Sequence, residues 1–323
     1  MRSVNINNIK IKIILSIFIG GIIIFGVIIG TVGKIVYEET IGIHTVEEMD
    51  KGIENIYEES PEIIEKFYNY KSQELSIPSR NSYNINGIYI ESPQASNKTV
   101  AIVHGLDSNK WEMIEWAFMY LDNGYNVVLY NQRGTGETGG KGSTFGYYEK
   151  DDLASVIDYM DTNYPSKLIG THGFSMGGTT VALYAGMKEA NEKIDFFILD
   201  SPYNGIEEAI KAEIDKMQIP LVPITLLAWL EDKYLELTKG FGYDDVLPKE
   251  AIKSSTIPML IIHGDLDTLS PIEMGVDIYN NKQKGYKDLW IIEGGNHMSG
   301  YRDNPEEYEK RVMGFIEMIT YMK

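Results

Sequence analysis

Along this chain the apolar residues gather in short continuous runs, separated by longer stretches in which they recur every three or four positions. The runs 99–103, 126–130, 167–171, 196–199, 259–262 and 289–292 are strand-sized, and they are apolar throughout instead of alternating. Stretches 111–121, 151–163, 179–190, 271–280 and 305–322 carry a helical period. Continuous strands alternating with helices predict a mostly parallel sheet covered on both faces. Upstream, 75–91 alternates around Asn86-Gly87, which reads as a hairpin turn. Ser60 followed by Pro61 opens a helix with Ile63, Ile64 and Phe67 on one face.

Two stretches break this rhythm. Residues 11–32 are almost entirely Ile, Val, Leu, Phe and Gly, enough to span a bilayer, and Arg2, Lys10 and Lys12 precede or open the run. The positive residues place the N-terminus in the cytoplasm and the rest of the chain outside. A cleaved signal peptide is the rival reading, with the domain then secreted, but no small-x-small cleavage site follows, so an uncleaved single-pass anchor is expected. Gly26 and Gly30 form a GxxxG pair that reads as incidental in a glycine-containing span. The expected organisation is an anchor over 1–36, an acidic stalk and first helix over 37–75, and a folded domain over 76–323.

The second departure is an insertion at about 203–255. Its run 219–230 is apolar but short and interrupted by Pro220 and Pro223, so it is not a second span. It suits a helical cap over a site for an apolar group, or equally a segment packed on the core.

Composition narrows the class. With 323 residues and 43% hydrophobic content the chain can bury a large core. A formal net charge of -18 without a basic cluster opposes nucleic-acid binding. The absence of cysteine excludes disulfides, thiolate metal sites and a cysteine nucleophile. No cofactor and no metal is expected. Gly134-Thr-Gly136-Glu-Thr-Gly139 matches a dinucleotide fingerprint, but polar loop follows it where a helix is required, so it is set aside.

The chemistry centres on Gly173-Phe174-Ser175-Met176-Gly177, at the junction of a strand run and an Ala/Leu-rich helix. A serine at the tip of so sharp a turn is tolerated only where its neighbours lack side chains, which glycines two before and two after provide. A serine hydroxyl needs a base, and the base needs a carboxylate. In enzymes built on this turn the acid follows the serine and the histidine follows the acid. Of the five histidines, His44 lies in the stalk, His104 and His172 precede the serine, and His263 ends a strand; His297, in a Gly-Gly-Asn-His turn after the last strand run, remains. For the acid, Asp267 in His263-Gly-Asp-Leu-Asp267 is preferred, with Asp265 as a loop cap and Asp200 as a third possibility. Oxyanion donors are expected from the backbone N–H groups of Met176 and of Leu106, in the loop after the first parallel strand run.

Together His104-Gly105, Asn131-Gln-Arg-Gly-Thr-Gly136, the serine turn, His263-Gly-Asp-Leu-Asp267 and Gly295-Asn-His297 resemble the α/β-hydrolase superfamily, over about residue 81 to the C-terminus. Within it the chain is similar to bacterial membrane-anchored or secreted hydrolases of the serine aminopeptidase and acyl-esterase-like group, in which the Arg133-Gly134 turn is structural. The resemblance implies the α/β-hydrolase fold and a serine hydrolase of carboxylic esters, with a peptidase on short peptides as the alternative. A binding protein that keeps the fold without catalysis is the reading from another class.

Overall fold

The computed structural model describes residues 6–42 and 52–322. Arg2, His44 and the middle of the expected stalk lie outside the described residues. The strands are β1 (Ser72–Pro78), β2 (Asn84–Ile90), β3 (Lys98–Val103), β4 (Asn126–Tyr130), β5 (Leu168–Phe174), β6 (Phe196–Asp200), β7 (Met259–Gly264) and β8 (Lys287–Ile292). They form one eight-stranded sheet in the order β1-β2-β4-β3-β5-β6-β7-β8. Only β2 runs antiparallel to its neighbours, and every pairing from β4 to β8 is parallel.

The longer helices are α1 (Ile6–Ile28), α2 (Pro61–Tyr68), α3 (Ile114–Asp122), α4 (Glu149–Asn163), α5 (Met176–Ala185), α6 (Ile206–Lys216), α7 (Ile224–Thr238), α8 (Ile272–Asn281) and α9 (Pro305–Tyr321). Strands β4 to β7 are buried at every position because helices cover both sides, which is why their sequences do not alternate. One core joins Ile102, Phe174 and Ile198 to Trp116 of α3 and Tyr308 and Phe315 of α9. The opposite core joins Val103, Val128 and Phe197 to Leu153 of α4 and Tyr184 of α5.

The hairpin lies elsewhere than its Asn-Gly signal. Register pairs Leu75 with Gly87 and Pro78 with Asn84, so Asn86-Gly87 is mid-strand and the chain turns at 79–83. Ser79 N–H donates to the Tyr83 carbonyl at 2.8 Å, and Ser82 takes the left-handed conformation at φ 66°. Gly87 serves a close approach instead: a Cβ there would meet the Leu129 carbonyl oxygen at 3.0 Å.

Among the described residues, those up to Thr40 together with Ile210–Gly242 form one compact unit, and those of Ile41–Ala209 and Tyr243–Lys323 form another. In the first, helical backbone continues from α1 to Thr40, and α7 packs along its later part. Gly33 is the closest approach, since a Cβ there would lie 2.4 Å from the Leu230 carbonyl oxygen and 2.6 Å from Tyr234 Cβ. Thr40 donates to Glu231 Oε1 at 3.1 Å, and the Tyr37 and Tyr234 rings lie 5.8 Å apart.

Two glycines give opposite expected outcomes in urea unfolding. A Cβ on Gly170 of β5 would sit 2.1 Å from the Phe196 ring, so Gly170→Ala is expected to destabilise by about 1–3 kcal/mol. Gly314, inside α9, has open space around its missing Cβ, so Gly314→Ala is expected to stabilise by about 0.5–1 kcal/mol.

Candidate active site

β5 delivers Ser175 into a turn that forces its backbone to φ 53°, ψ -120°, and α5 begins at the next residue. The flanking glycines show why this stretch tolerates no side chains. A Cβ on Gly173 would lie 2.3 Å from the Gly177 carbonyl oxygen, and one on Gly177 would lie 2.1 Å from that of Val103. Such strain persists only where the packing around it over-determines the conformation. Ser175 N–H is held by the Asp200 carbonyl at 2.8 Å, and the residue remains 7% exposed at the N-terminus of α5, whose dipole favours developing negative charge.

β8 and β7 supply the partners. His297 Nε2 lies 2.9 Å from Ser175 Oγ, and its Nδ1 lies 2.7 Å from Asp267 Oδ2. With a carboxylate at Nδ1, the proton belongs on Nδ1, leaving Nε2 to accept from the serine hydroxyl. Asp267 is buried, which by itself raises its pKa. The hydrogen bond and charge of His297 and the bonds from Ser270 outweigh burial and hold the carboxyl below its ordinary value. The N–H groups of Leu269 and Ser270 both donate to Oδ1 at 2.9 Å. Reading by residue type missed Ser270; a short polar residue three places after a turn aspartate was its only signal.

The other acids take the places open to them. Asp265 Oδ1 accepts from Gly294 N–H at 2.7 Å and ties two loops together. Asp200 accepts from Tyr308 Oη at 2.5 Å and from Ser201 Oγ at 3.0 Å, and it makes no hydrogen bond to His297 among the described residues.

The loop after β3 runs beside the serine: a Cβ on Gly105 would meet Ser175 Cβ at 3.3 Å. Among the described residues neither Leu106 N–H nor Met176 N–H donates to a backbone carbonyl. The loop is pinned from behind by His104, whose Nδ1–H donates to the Gly105 carbonyl at 2.7 Å and whose Nε2 accepts from Gln132 N–H at 2.9 Å. Burial of the ring lowers its pKa to about 4, against the hydrogen bond to Gly105, which raises it. Arg133 clamps the glycine-rich loop: Nε donates to the Gly142 carbonyl at 3.1 Å and the guanidinium covers Tyr148 at 4.8 Å. No helix opens directly after Gly139, so the fingerprint lacks the element that would face a pyrophosphate.

His263 is buried with Nε2–H donating to the Ser270 carbonyl at 2.6 Å, and a Cβ on Gly275 would meet its Nδ1 at 2.4 Å. His172 sits in the core between Tyr120 Oη at 3.0 Å and Tyr308 Oη at 3.2 Å, and burial lowers its pKa to about 3. Of the described histidines, His297 alone touches the serine.

A strained serine on a strand-to-helix turn, a histidine and a carboxylate, on a sheet with this strand order, place the chain among the α/β-hydrolases. The comparisons agree. A family model described as serine aminopeptidase, S33, matches residues 94–237. The uncharacterized protein YqkD of Bacillus subtilis is 33% identical over 265 residues, covering 80% of this chain and 84% of that protein. The esterase Pf2001 of Pyrococcus furiosus superposes with a TM-score of 0.64 at 25% identity, covering 78% of this chain and 94% of the other. Mouse lysophosphatidylserine lipase ABHD12 is 24% identical over 219 residues, 64% of this chain and 51% of that protein. The chain belongs to the α/β-hydrolase superfamily.

The buried His104 ring sets a pH expectation. Its folded pKa of about 4 lies below the ordinary 6.5, so the folded state binds the proton less well than the unfolded chain. Stability is whole above about 6.5 and drains as pH falls toward about 4. His172 acts in the same direction, while the loss from Asp267 begins only further down. Urea midpoints across that window are expected to fall in the unaltered chain, and His104→Asn is expected to flatten the slope by up to about 1.4 kcal/mol per pH unit.

Proposed function

We propose that this protein is a serine hydrolase of carboxylic esters that works through an acyl-enzyme. One observation carries the reading: Ser175 Oγ, His297 Nε2 and Nδ1, and Asp267 Oδ2 lie in sequence at 2.9 and 2.7 Å. In this reading Ser175 Oγ attacks the ester carbonyl carbon as His297 Nε2 takes its proton. Negative charge gathers on the carbonyl oxygen, which the N–H groups of Leu106 and Met176 receive, each such donor being worth about 3 kcal/mol of barrier. His297 returns the proton to the departing alkoxide as the ester C–O bond breaks. Water, deprotonated by the same imidazole, then releases the carboxylic acid and restores Ser175. Asp267 stays ionised throughout, holding the Nδ1 tautomer and stabilising the imidazolium.

An ester is preferred because the relatives include an esterase and a lipase. The description of the matching family model favours a second reading, a peptidase on short peptides. The reading keeps the organisation of a membrane anchor over 1–36, a stalk and first helix over 37–75 and a hydrolase domain over 76–323 with a cap insertion at about 203–255. Helix α1 has 23 residues, about 35 Å of length, enough to cross a hydrocarbon core. In this reading the bulk of the chain lies outside the cytoplasm.

Fluorophosphonate labelling is expected to map to Ser175. Ser175→Ala is expected to lower p-nitrophenyl ester turnover by about 10⁴-fold or more, and Asp267→Asn by about 10³- to 10⁴-fold. Turnover of aminoacyl nitroanilides without ester turnover would select the peptidase, and full ester turnover by Ser175→Ala would end the serine mechanism.

A further inference from the structure

The unit that contains α1 also exposes apolar side chains with no role in the chemistry above. From Gln218 to Leu230 the sequence carries no charge, in a chain whose net charge is -18. Leu221 is fully exposed, and Ile219, Val222, Leu226 and Trp229 are exposed as well. Gln218 and Leu221 both have positive φ, 48° and 66°, so the turn that presents these side chains is held in a conformation such residues rarely adopt. A turn facing water gains nothing from that arrangement.

Position within the unit indicates what covers this surface. From Ile14 to Ile28 the large side chains of α1 are exposed, whereas beyond Ile29 one face of the helical run is buried, at Val36 and Tyr37. Trp229 meets Phe25, inside the bare stretch, with ring centroids 5.9 Å apart. Trp229, in the second turn of α7, therefore lies level with the last turn of the bare apolar length of α1. Tryptophan is favoured at that depth of a bilayer, and a polar face behind an apolar one is the pattern of an interfacial element.

We propose that Ile219, Leu221, Val222, Leu226 and Trp229 are embedded in the lipid of the same bilayer that α1 crosses, a second apolar hold beside the anchor. A lipid surface is preferred to a second copy of the chain because the patch is continuous with a helix length whose own exposed side chains need lipid. The proposal rests on the anchor reading given under Proposed function, and the experiment separates the two. The native chain has no cysteine, so Leu221→Cys and, as an aqueous control, Asp215→Cys each give the full-length protein one labelling site. With a fluorescent label in phosphatidylcholine nanodiscs, position 221 is expected to be quenched by lipids carrying a quencher on the acyl chain and to lose quenching by aqueous iodide. Position 215 is expected to show the reverse. Iodide access at 221 in protein that resists alkaline carbonate extraction overturns the proposal while leaving the anchor intact. Release of the unlabelled protein by carbonate overturns both. Protection at 221 without quenching from lipid, together with pairwise cross-linking, assigns the patch to a second copy and overturns the proposal.

A second inference stands on different residues. Asp200 and Ser201, at the end of β6, touch the surroundings of all three active-site residues. The Asp200 carbonyl holds Ser175 N–H at 2.8 Å. Ser201 Oγ accepts from Met298 N–H, next to His297, at 3.2 Å, and itself donates to Asp200 Oδ1 at 3.0 Å. Ser270 Oγ lies 3.0 Å from both the Ser201 carbonyl and Asp267 Oδ2. Ser201 is buried at φ 51°, with its N–H on the Ile262 carbonyl at 2.9 Å. We infer that Ser201 is a positioning residue that fixes the His297 loop relative to Ser175. The inference rests on the serine mechanism, which Ser175→Ala tests separately. Ser201→Ala is expected to slow fluorophosphonate labelling and lower kcat by about 10- to 100-fold with KM unchanged. Tyr308→Phe, which removes the donor on the far side of Asp200, is expected to give a smaller loss of the same kind. Labelling of Ser201→Ala at the unaltered rate overturns the inference, as does a loss seen only in KM. If Ser201→Ala does not fold, an unaltered kcat in Tyr308→Phe overturns it.

Discussion

A backbone conformation that costs energy underlies the site. Ser175 is held in the left-handed region by a turn with no room for side chains at Gly173 or Gly177. The strain is supported by β5 behind it, buried at all seven positions, and by α5 in front, buried at all ten. Neither element can relax without opening a core, so the hydroxyl stays where the chain bends most sharply. The other active-site groups are arranged around that fixed point.

The site divides its electrostatic tasks among groups of different mobility. Asp267 receives two backbone donors and a serine hydroxyl besides His297, so its charge is stabilised before any reaction begins. His297 sits in a loop and retains some exposure. His104 and His263 are the same residue type used for the opposite purpose: buried rings that fasten loops, His104 through both nitrogens and His263 through Nε2. What separates His297 from these fasteners is access to solvent and a serine hydroxyl within reach of Nε2.

Much of this was legible in the residues. Continuous apolar strands and the Gly-framed serine each have a local steric cause, so spacing alone carries them, whereas the choice of Asp267 and His297 leaned on the chain order of enzymes built on this turn. The hairpin was not legible, because Asn86-Gly87 has the composition of a turn while Gly87 is needed for a close strand approach to Leu129. Ser270 and Ser201 were invisible for another reason: serine is common, and only the meeting of β6 with the loops after β7 and β8 gives these two a role. The limits of β5 were read short because its last residues, His172 to Phe174, look like turn until the sheet pairs them with β6.

The position of β8 at the rim of the sheet has a further consequence. Its residues are only partly covered, whereas those of β5 are enclosed on every side. His297 and Ser175 thus hang from parts of the molecule with unequal resistance to local opening. Warming would loosen the margin that carries the imidazole while the interior around the hydroxyl stays intact, so in the proposed mechanism turnover would fade at temperatures where spectroscopy still reports a folded chain.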